Sequence, residues 1–322
     1  MAIRTALTEA FGLAYPIVLA PMGQVAGGQL AAAVSNAGGL GLVGGAYGDP
    51  DWLIRELDLV RATTDRPWGV GLITWHATRE VVELALRYHP AAFLLSFGDV
   101  RPYAPLIKSA GCTLVCQVQE VEAAREAVAA GADIIVAQGS EAGGHGAVRA
   151  TIPLVPAVVD AVAPVPVLAA GGIADGRGLA AALMLGAQGV MMGSRFSAAS
   201  ESLTQEQAKA RIVAAHAADT AQTRIFDIIR GYEAWPEPYT ARAVRNDFFG
   251  RWHGREGELA EALATEMPAY QRALLEGDCE TAMVLAGEVV DLIDAVEPAA
   301  ELVWRIGAEA ETQLRGGAAL LV

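Results

Sequence analysis

The feature that most narrows what this 322-residue chain can become is an alternation repeated eight times. A short apolar run ends in glycine or a small polar residue, a helical stretch follows, and the pattern starts again. The apolar runs cover 16–20, 39–43, 68–74, 92–96, 113–118, 133–137, 166–170 and 189–192. The segments between them carry helical patterning and glycine stops, such as Gly38-Gly39 after 29–36 and Gly131 after 120–130. Strands separated by a helix are read as parallel neighbours joined by crossovers, not as hairpins. Eight such units in the first 200 residues match the number that closes a (β/α)8 TIM barrel, the α/β fold expected here. A doubly wound open sheet is the competing topology, but it needs a G-x-G-x-x-G after the first strand, where this chain has PMGQVAGG.

The pattern changes after residue 200. Helical stretches are expected over 204–217, 256–265, 269–275 and 281–292, with a polar, aromatic connector over 231–249. The organisation expected is a barrel made of 1–200 and 293–322, with a helical domain, 201–292, inserted before the last helix (299–314) and placed over the barrel mouth as a lid. A hydrophobic content of 53% and a mean hydropathy of +0.34 supply material for a large core. A net charge of −14 argues against nucleic acid or an anionic membrane surface as partner, since both call for clustered Lys and Arg. The apolar runs are too short to span a bilayer. The N-terminal MAIRTALTEAFGL lacks the apolar core and cleavage site of a signal peptide, and Cys112, Cys116 and Cys279 have neither disulfide-framework nor zinc spacing. The expected compartment is the cytoplasm.

A closed βα barrel places its chemistry at the carboxyl ends of the strands. The residues expected to share one basin are Pro21-Met22-Gly23, Thr74-Trp75-His76, Ser96-Phe97, Gln117, Gln138-Gly139, Gly171-Gly172 and Gly193-Ser194. After the sixth strand, Gly139, Gly143, Gly144 and Gly146 surround Glu141 and His145. A histidine on such a loop is a candidate proton-transfer group, because imidazole titrates near working pH. The glycine pairs after strands seven and eight can present backbone N–H groups to a phosphate, with the Ser194 hydroxyl beside them. No metal-ligand spacing and no G-x-S-x-G nucleophile signal is present.

The segments PIVLAPM, AQGSEAGGHGA, VPVLAAGGIADGRGLAAALMLGAQGVMMGSRF and FDIIRG…WP…YTARAVRNDF resemble the nitronate monooxygenases, formerly called 2-nitropropane dioxygenases, over nearly the whole chain. FMN-dependent enoyl-acyl-carrier-protein reductases and certain flavin NADH:quinone reductases share the EAGGH and AAGGIADG blocks. The resemblance implies non-covalent FMN, its phosphate on Gly171, Gly172, Gly193 and Ser194 and its ring against Ala20, Pro21 and Met22. It places Gln117 and Gln138 at the ring's polar edge, counts Gly144 among the cofactor contacts, and makes His145 the catalytic residue, as base or as electrostatic stabiliser. Many relatives carry Asn where Gly71 stands, so Thr74 is expected to take over that contact. Glu141 is assigned to loop structure, and Arg242, Arg245 and Asn246 to tying the insertion to the barrel. His76 is read either as pocket lining or as surface.

The implied reaction is FMN-dependent oxidation of alkyl nitronates, and of nitroalkanes as a further substrate class, with O2. An NAD(P)H-dependent reductase of quinones or enoyl thioesters is the alternative, and a flavin-binding barrel without turnover is a third reading. The implied partners are a small-molecule substrate and O2, and the pattern is compatible with a homodimer.

Overall fold

The computed structural model describes residues 3–317; residues 318–322 of the segment assigned to the barrel lie outside it. The strands in chain order are β1 (Ile17–Leu19), β2 (Gly41–Gly44), β3 (Trp68–Ile73), β4 (Ala92–Ser96), β5 (Thr113–Val118), β6 (Ile134–Gln138), β7 (Gly144–Gly146), β8 (Val167–Ala170), β9 (Val190–Met192), β10 (Thr220–Thr223) and β11 (Thr240–Val244). Eight of them form a parallel sheet in the order β1-β9-β8-β6-β5-β4-β3-β2. A parallel bridge between Val18 and Leu40 joins its two ends, with Leu19 N–H donating to Leu40 O at 3.0 Å and Leu40 N–H to Ile17 O at 2.9 Å. The result is the TIM barrel that the alternation predicts.

Strand side chains alternate between two cores. Val70, Leu72, Phe93, Leu95, Leu114 and Cys116 pack outward against the helices. Val18, Leu42, Leu94, Val115, Val136, Leu168 and Met191 fill the barrel's interior. That interior is closed at its amino-terminal end by a helix the sequence reading did not assign, Ala6–Phe11, which contributes Leu7 and Phe11. At six residues it is too short to show a helical period. A reciprocal cap between Thr5 and Thr8 starts it, and left-handed Gly12 (φ +64°) stops it.

The insertion differs from expectation in composition. Besides helices it carries β10 and β11, which pair antiparallel and extend to β7, so the histidine loop becomes one edge of a three-stranded sheet. The helices expected over 256–265 and 269–275 are one helix, Glu256–Glu276, running through Pro268. The helix expected over 281–292 is only a 3-10 turn, Glu288–Leu292. Its first half runs extended beside β11, bridged at Ala243–Leu285 and by Val244 N–H to Val284 O at 2.9 Å. The apolar spacing of 281–292 thus serves a strand-like contact, which periodicity in so short a run cannot tell from a helix. The last helix, Ala299–Gly317, packs on the barrel through Leu302, Val303 and Ile306. No helix among the described residues is long and apolar enough to cross a membrane.

The helices approach the strands closely. A Cβ on Gly41 in β2 would lie 1.9 Å from the carbonyl oxygen of Ala31 in the helix Gly28–Asn36. Gly41→Ala should therefore lower stability by about 1–3 kcal/mol through overpacking. Gly250, which meets nothing within 4 Å in the helix Asp247–Trp252, is the control. Gly250→Ala should raise stability by roughly 0.5–1 kcal/mol. Paired thermal denaturation curves check both; equal midpoints for the two variants would contradict this account.

Candidate functional site

A cavity of about 570 Å³ opens at the carboxyl ends of the barrel strands, bounded on its far side by the insertion. Ala20, Pro21 and Met22, just past β1, form part of its floor. Ala20 N–H still donates to Met192 O at 2.9 Å, and Met22 N–H to Ala20 O at 2.9 Å, which turns the chain into the mouth. Gln117, Gln138, Gly144, His145, Gly171, Gly172, Gly193 and Ser194 also line it. Segments as far apart as 20 and 194 thus meet on one rim.

Thr74 is the exception. It is buried, its hydroxyl has no hydrogen-bond partner, and it packs against Gly98 rather than the cavity. The cause is strand parity: Val70 and Leu72 of β3 pack outward against the helices, and Thr74, the next position of the same parity, points the same way. The departure at Gly71 has its own cause, since a Cβ there would lie 2.3 Å from Pro21 Cγ. Pro21 occupies the room that an asparagine side chain needs. His76 sits on the outer side of Tyr47, with Nδ1 2.8 Å from the Tyr47 carbonyl oxygen, and is not among the lining residues.

The glycine pairs form a cradle. Gly171 and Gly172 are both left-handed, at φ +97° and +72°, a conformation that side-chain-bearing residues rarely hold. The N–H groups of Gly172 and Gly193 meet no backbone acceptor among the described residues. Ser194 Oγ accepts from Gly287 N–H at 2.9 Å, which leaves its own proton free to donate. Unengaged donors around a cavity wall without side chains fit the phosphate of a bound nucleotide or flavin.

A glutamine cluster fixes the neighbouring wall, past β5 and β6. Gln138 Oε1 accepts from Gln119 Nε2 at 2.7 Å and from Gln117 Nε2 at 3.1 Å, and Gln138 Nε2 donates to His145 O at 3.1 Å. Gln138 therefore spends its amide on holding β7, and Gln117 keeps the freer one. Gln119, only 3% exposed, was not singled out in the sequence. Glu141 faces Thr151, not His145. Its carboxylate accepts from Thr151 N–H at 3.0 Å and from Thr151 Oγ1 at 2.8 Å, fastening the loop to the start of the helix Thr151–Val162.

His145 is held from three sides. Its Nε2 lies 3.0 Å from both oxygens of Asp227, which is 2% exposed on the helix Ile225–Ile229. An ionised carboxylate can only accept, so Nε2 carries the proton and Nδ1 is the nitrogen left for chemistry. The ring stacks on Trp235 at 3.5 Å and 8°, and Phe97 meets it edge-on at 6.3 Å. Trp235 Nε1 donates to Tyr47 Oη at 2.9 Å, and Tyr47 stacks on Tyr232 at 3.9 Å. Burial pushes the Tyr47 hydroxyl up to about 12, so it stays protonated. Asp227, Tyr232 and Trp235 all come from the insertion. Sequence reasoning missed their role, because Asp227 is 82 positions from His145 and no local pattern links them. The one available signal was that FDIIRG and WP stand in the block resembling the family.

The insertion is fastened next to this site. Arg242 donates from Nε to Ser140 O at 3.0 Å and pairs with Glu288 at 2.9 Å. Asn246 caps the helix Asp247–Trp252 and donates to the carbonyls of Cys279 and Ala282. Arg245 lies over the Phe249 ring. No group of three or more His, Cys, Asp or Glu among the described residues is placed to hold a metal.

Comparisons with known proteins fit this geometry. A nitronate monooxygenase family model matches residues 4–81 and 76–309. A Mycobacterium tuberculosis protein named (3aS,4S,5R,7aS)-5-hydroxy-7a-methyl-1-oxo-octahydro-1H-indene-4-carboxyl-CoA dehydrogenase is 34% identical, the match covering 100% of both chains. A nitronate monooxygenase of Neurospora crassa is 32% identical over 93% of this chain and 90% of its own. The solved structure of FabK from Thermotoga maritima superposes with a TM-score of 0.88 at 32% identity, covering 99% of this chain and 100% of that one.

The Glu141–Thr151 contact generates a prediction. Glu141→Ala removes three hydrogen bonds from the loop that carries His145. Stability should fall by about 1–3 kcal/mol, the range for losing a partly buried charged acceptor. Thermal denaturation measures it, and a loss no larger than that of an exposed surface glutamate would refute the fastening role.

Proposed function

The chain belongs to the nitronate monooxygenase family and is a flavin oxidoreductase of that type, and on that premise we propose that it oxidises alkyl nitronates with O2, using FMN and His145. The observation that carries this reading is the His145–Asp227 pair, stacked on Trp235 at the wall of a cavity that also holds the glycine cradle. Gly171, Gly172, Gly193 and Ser194 would take the FMN phosphate through N–H and O–H donors. Ala20, Pro21 and Met22, with Gln117, Gln138 and Gly144, would bound the ring system. Bound there, FMN supplies the electron transfer and the reaction with O2.

The protein's own contribution is charge and proton handling. With Nε2–H committed to Asp227, the unprotonated ring presents Nδ1 as a base for the acidic carbon of a nitroalkane. The protonated ring, backed by a buried carboxylate, is a fixed positive group for the anionic oxygens of a nitronate. Trp235 and Phe97 exclude water from the ring's faces and strengthen both effects. Residues 201–292 serve in this reading as the substrate-covering unit, since they bring Asp227, Tyr232 and Trp235 to the mouth.

A second reading has a specific observation in its favour. The full-length Mycobacterium tuberculosis relative is named as a dehydrogenase of an acyl-CoA. The same imidazole would then move a proton next to a thioester carbonyl, with a nicotinamide or the acyl group itself exchanging electrons with the flavin.

The two readings separate in one experiment. Purified FMN-loaded protein is mixed anaerobically with NADH, and in a second sample aerobically with ethylnitronate. Oxygen uptake with ethylnitronate and a flavin left oxidised by NADH are expected. Rapid bleaching by NADH, with no oxygen uptake on any nitronate, would favour the reductase. His145→Ala should lower turnover by about 10²-fold or more. Asp227→Asn should lower it by a smaller factor, and an unimpaired Asp227→Asn would remove the carboxylate from the account.

A further inference from the structure

Two consecutive backbone N–H groups of the insertion reach two different parts of the barrel rim. Gly287 donates to Ser194 Oγ at 2.9 Å, and Glu288 donates to the Glu141 carbonyl oxygen at 2.9 Å. Ser194 follows β9, whereas Glu141 lies after β6 on the stretch that leads to His145. Gly287 is buried and does not line the cavity, but Leu285 and Val289 on either side of it do. Residues 284–289 are therefore a strap whose flanks belong to the cavity wall and whose centre supports Ser194 from behind.

The strap fits without slack. A Cβ on Gly287 would lie 2.4 Å from Glu141 O and 2.7 Å from Gly143 N, and a Cβ on Gly143 would lie 2.6 Å from the Ala286 carbonyl carbon. Ala286, Val289 and Val290 share a buried cluster with Ala174, just past Gly171-Gly172, and Ala198, just past Ser194. The apolar residues of the strap thus brace both halves of the glycine cradle. Its first part runs beside β11, with Val244 N–H donating to Val284 O at 2.9 Å, and β11 pairs with β7. A chain of backbone contacts links His145 to the Ser194 hydroxyl.

The Gly287 N–H occupies one lone pair of Ser194 Oγ, which turns the hydroxyl proton away from the strap. Among the described residues Ser194 Oγ has no other partner. A donor that is already aimed has less freedom to lose when a ligand arrives. We infer that Gly287 is a positioning residue for the cofactor: it aims the Ser194 proton into the cradle, so that the phosphate site is complete only when the insertion is docked. Resting on the reading of the cradle as the FMN phosphate site, this couples cofactor retention to the docking of residues 201–292. Riboflavin, which has the same ring system and no phosphate, should not sense the strap.

The test uses the full chain stripped of flavin and titrated with FMN and with riboflavin, followed by quenching of flavin fluorescence. The ratio of the riboflavin to the FMN dissociation constant isolates the phosphate. Ser194→Ala should lower that ratio by roughly 10- to 100-fold, the loss of one hydrogen bond to a charged oxygen, and Ser194→Thr should restore it. Gly287→Ala, whose Cβ forces the strap off Glu141, should lower it by about 3- to 30-fold. The double variant should lose no more of the ratio than Ser194→Ala alone, because both changes act through one hydroxyl. In wild type, amide exchange over 284–289 should be slower with saturating FMN than with saturating riboflavin, a readout that needs no variant. If Ser194→Ala lowers the ratio while Gly287→Ala weakens FMN and riboflavin equally, the cradle reading stands and the positioning role fails. Exchange that is the same with both flavins would overturn the positioning role as well. A Ser194→Ala variant that keeps the wild-type ratio would remove the phosphate reading itself, and the role of Gly287 with it.

Discussion

The site depends on one backbone pairing, the antiparallel ladder between β7 and β11 in which His145 faces Ala241. β7 belongs to a barrel loop and β11 to the insertion, so their hydrogen bonds lay the inserted chain across the barrel mouth in a fixed register. A slip of one residue would turn every side chain of β7 to the other face. Register therefore decides whether the imidazole looks at Asp227 and the cavity or away from both. Arg242, two positions from the start of β11, reinforces it by reaching back to the Ser140 carbonyl.

Polar groups at the mouth are satisfied in an order that leaves specific ones available. Gln138, Glu141 and Asp227 are consumed in holding the His145 loop, the next helix and the imidazole. Burying such groups is tolerable only because each finds partners. Among the lining residues, the N–H groups of Gly172 and Gly193, the Ser194 proton and His145 Nδ1 are left without a partner of their own. They are donors and one base, which is the complement of a ligand rich in anionic oxygens. The chain as a whole carries a charge of −14, so this local polarity is a property of the pocket rather than of the molecule.

Legibility in the sequence followed the range of the interactions. The eight barrel strands were readable within a residue or two because burial on both faces writes itself as a continuous apolar run. The rim residues followed from knowing where those runs end, and eleven of the twelve positions named for cofactor and catalysis line the cavity. Thr74 was misplaced because its strand stops one residue earlier and parity turns it outward. β10 and β11 were missed because TAQT and TARAV are short and half polar, and become strands only through each other and β7. The helix Ala6–Phe11 was overlooked for a similar reason: its apolar face makes sense only against the barrel interior it closes.

The sequence by itself determined the barrel, its strand order up to closure, and the glycine-rich rim, since these rest on local patterning repeated along the chain. Tertiary structure alone decided which groups surround the imidazole. Asp227 and Trp235 come from the insertion and Tyr47 from the loop after β2, and their contacts with His145 and with one another depend on register and packing that no window of sequence contains. It also decided which charges are spent internally, as Asp227 is on His145 and Glu141 on Thr151, because pairing is a matter of distance in space.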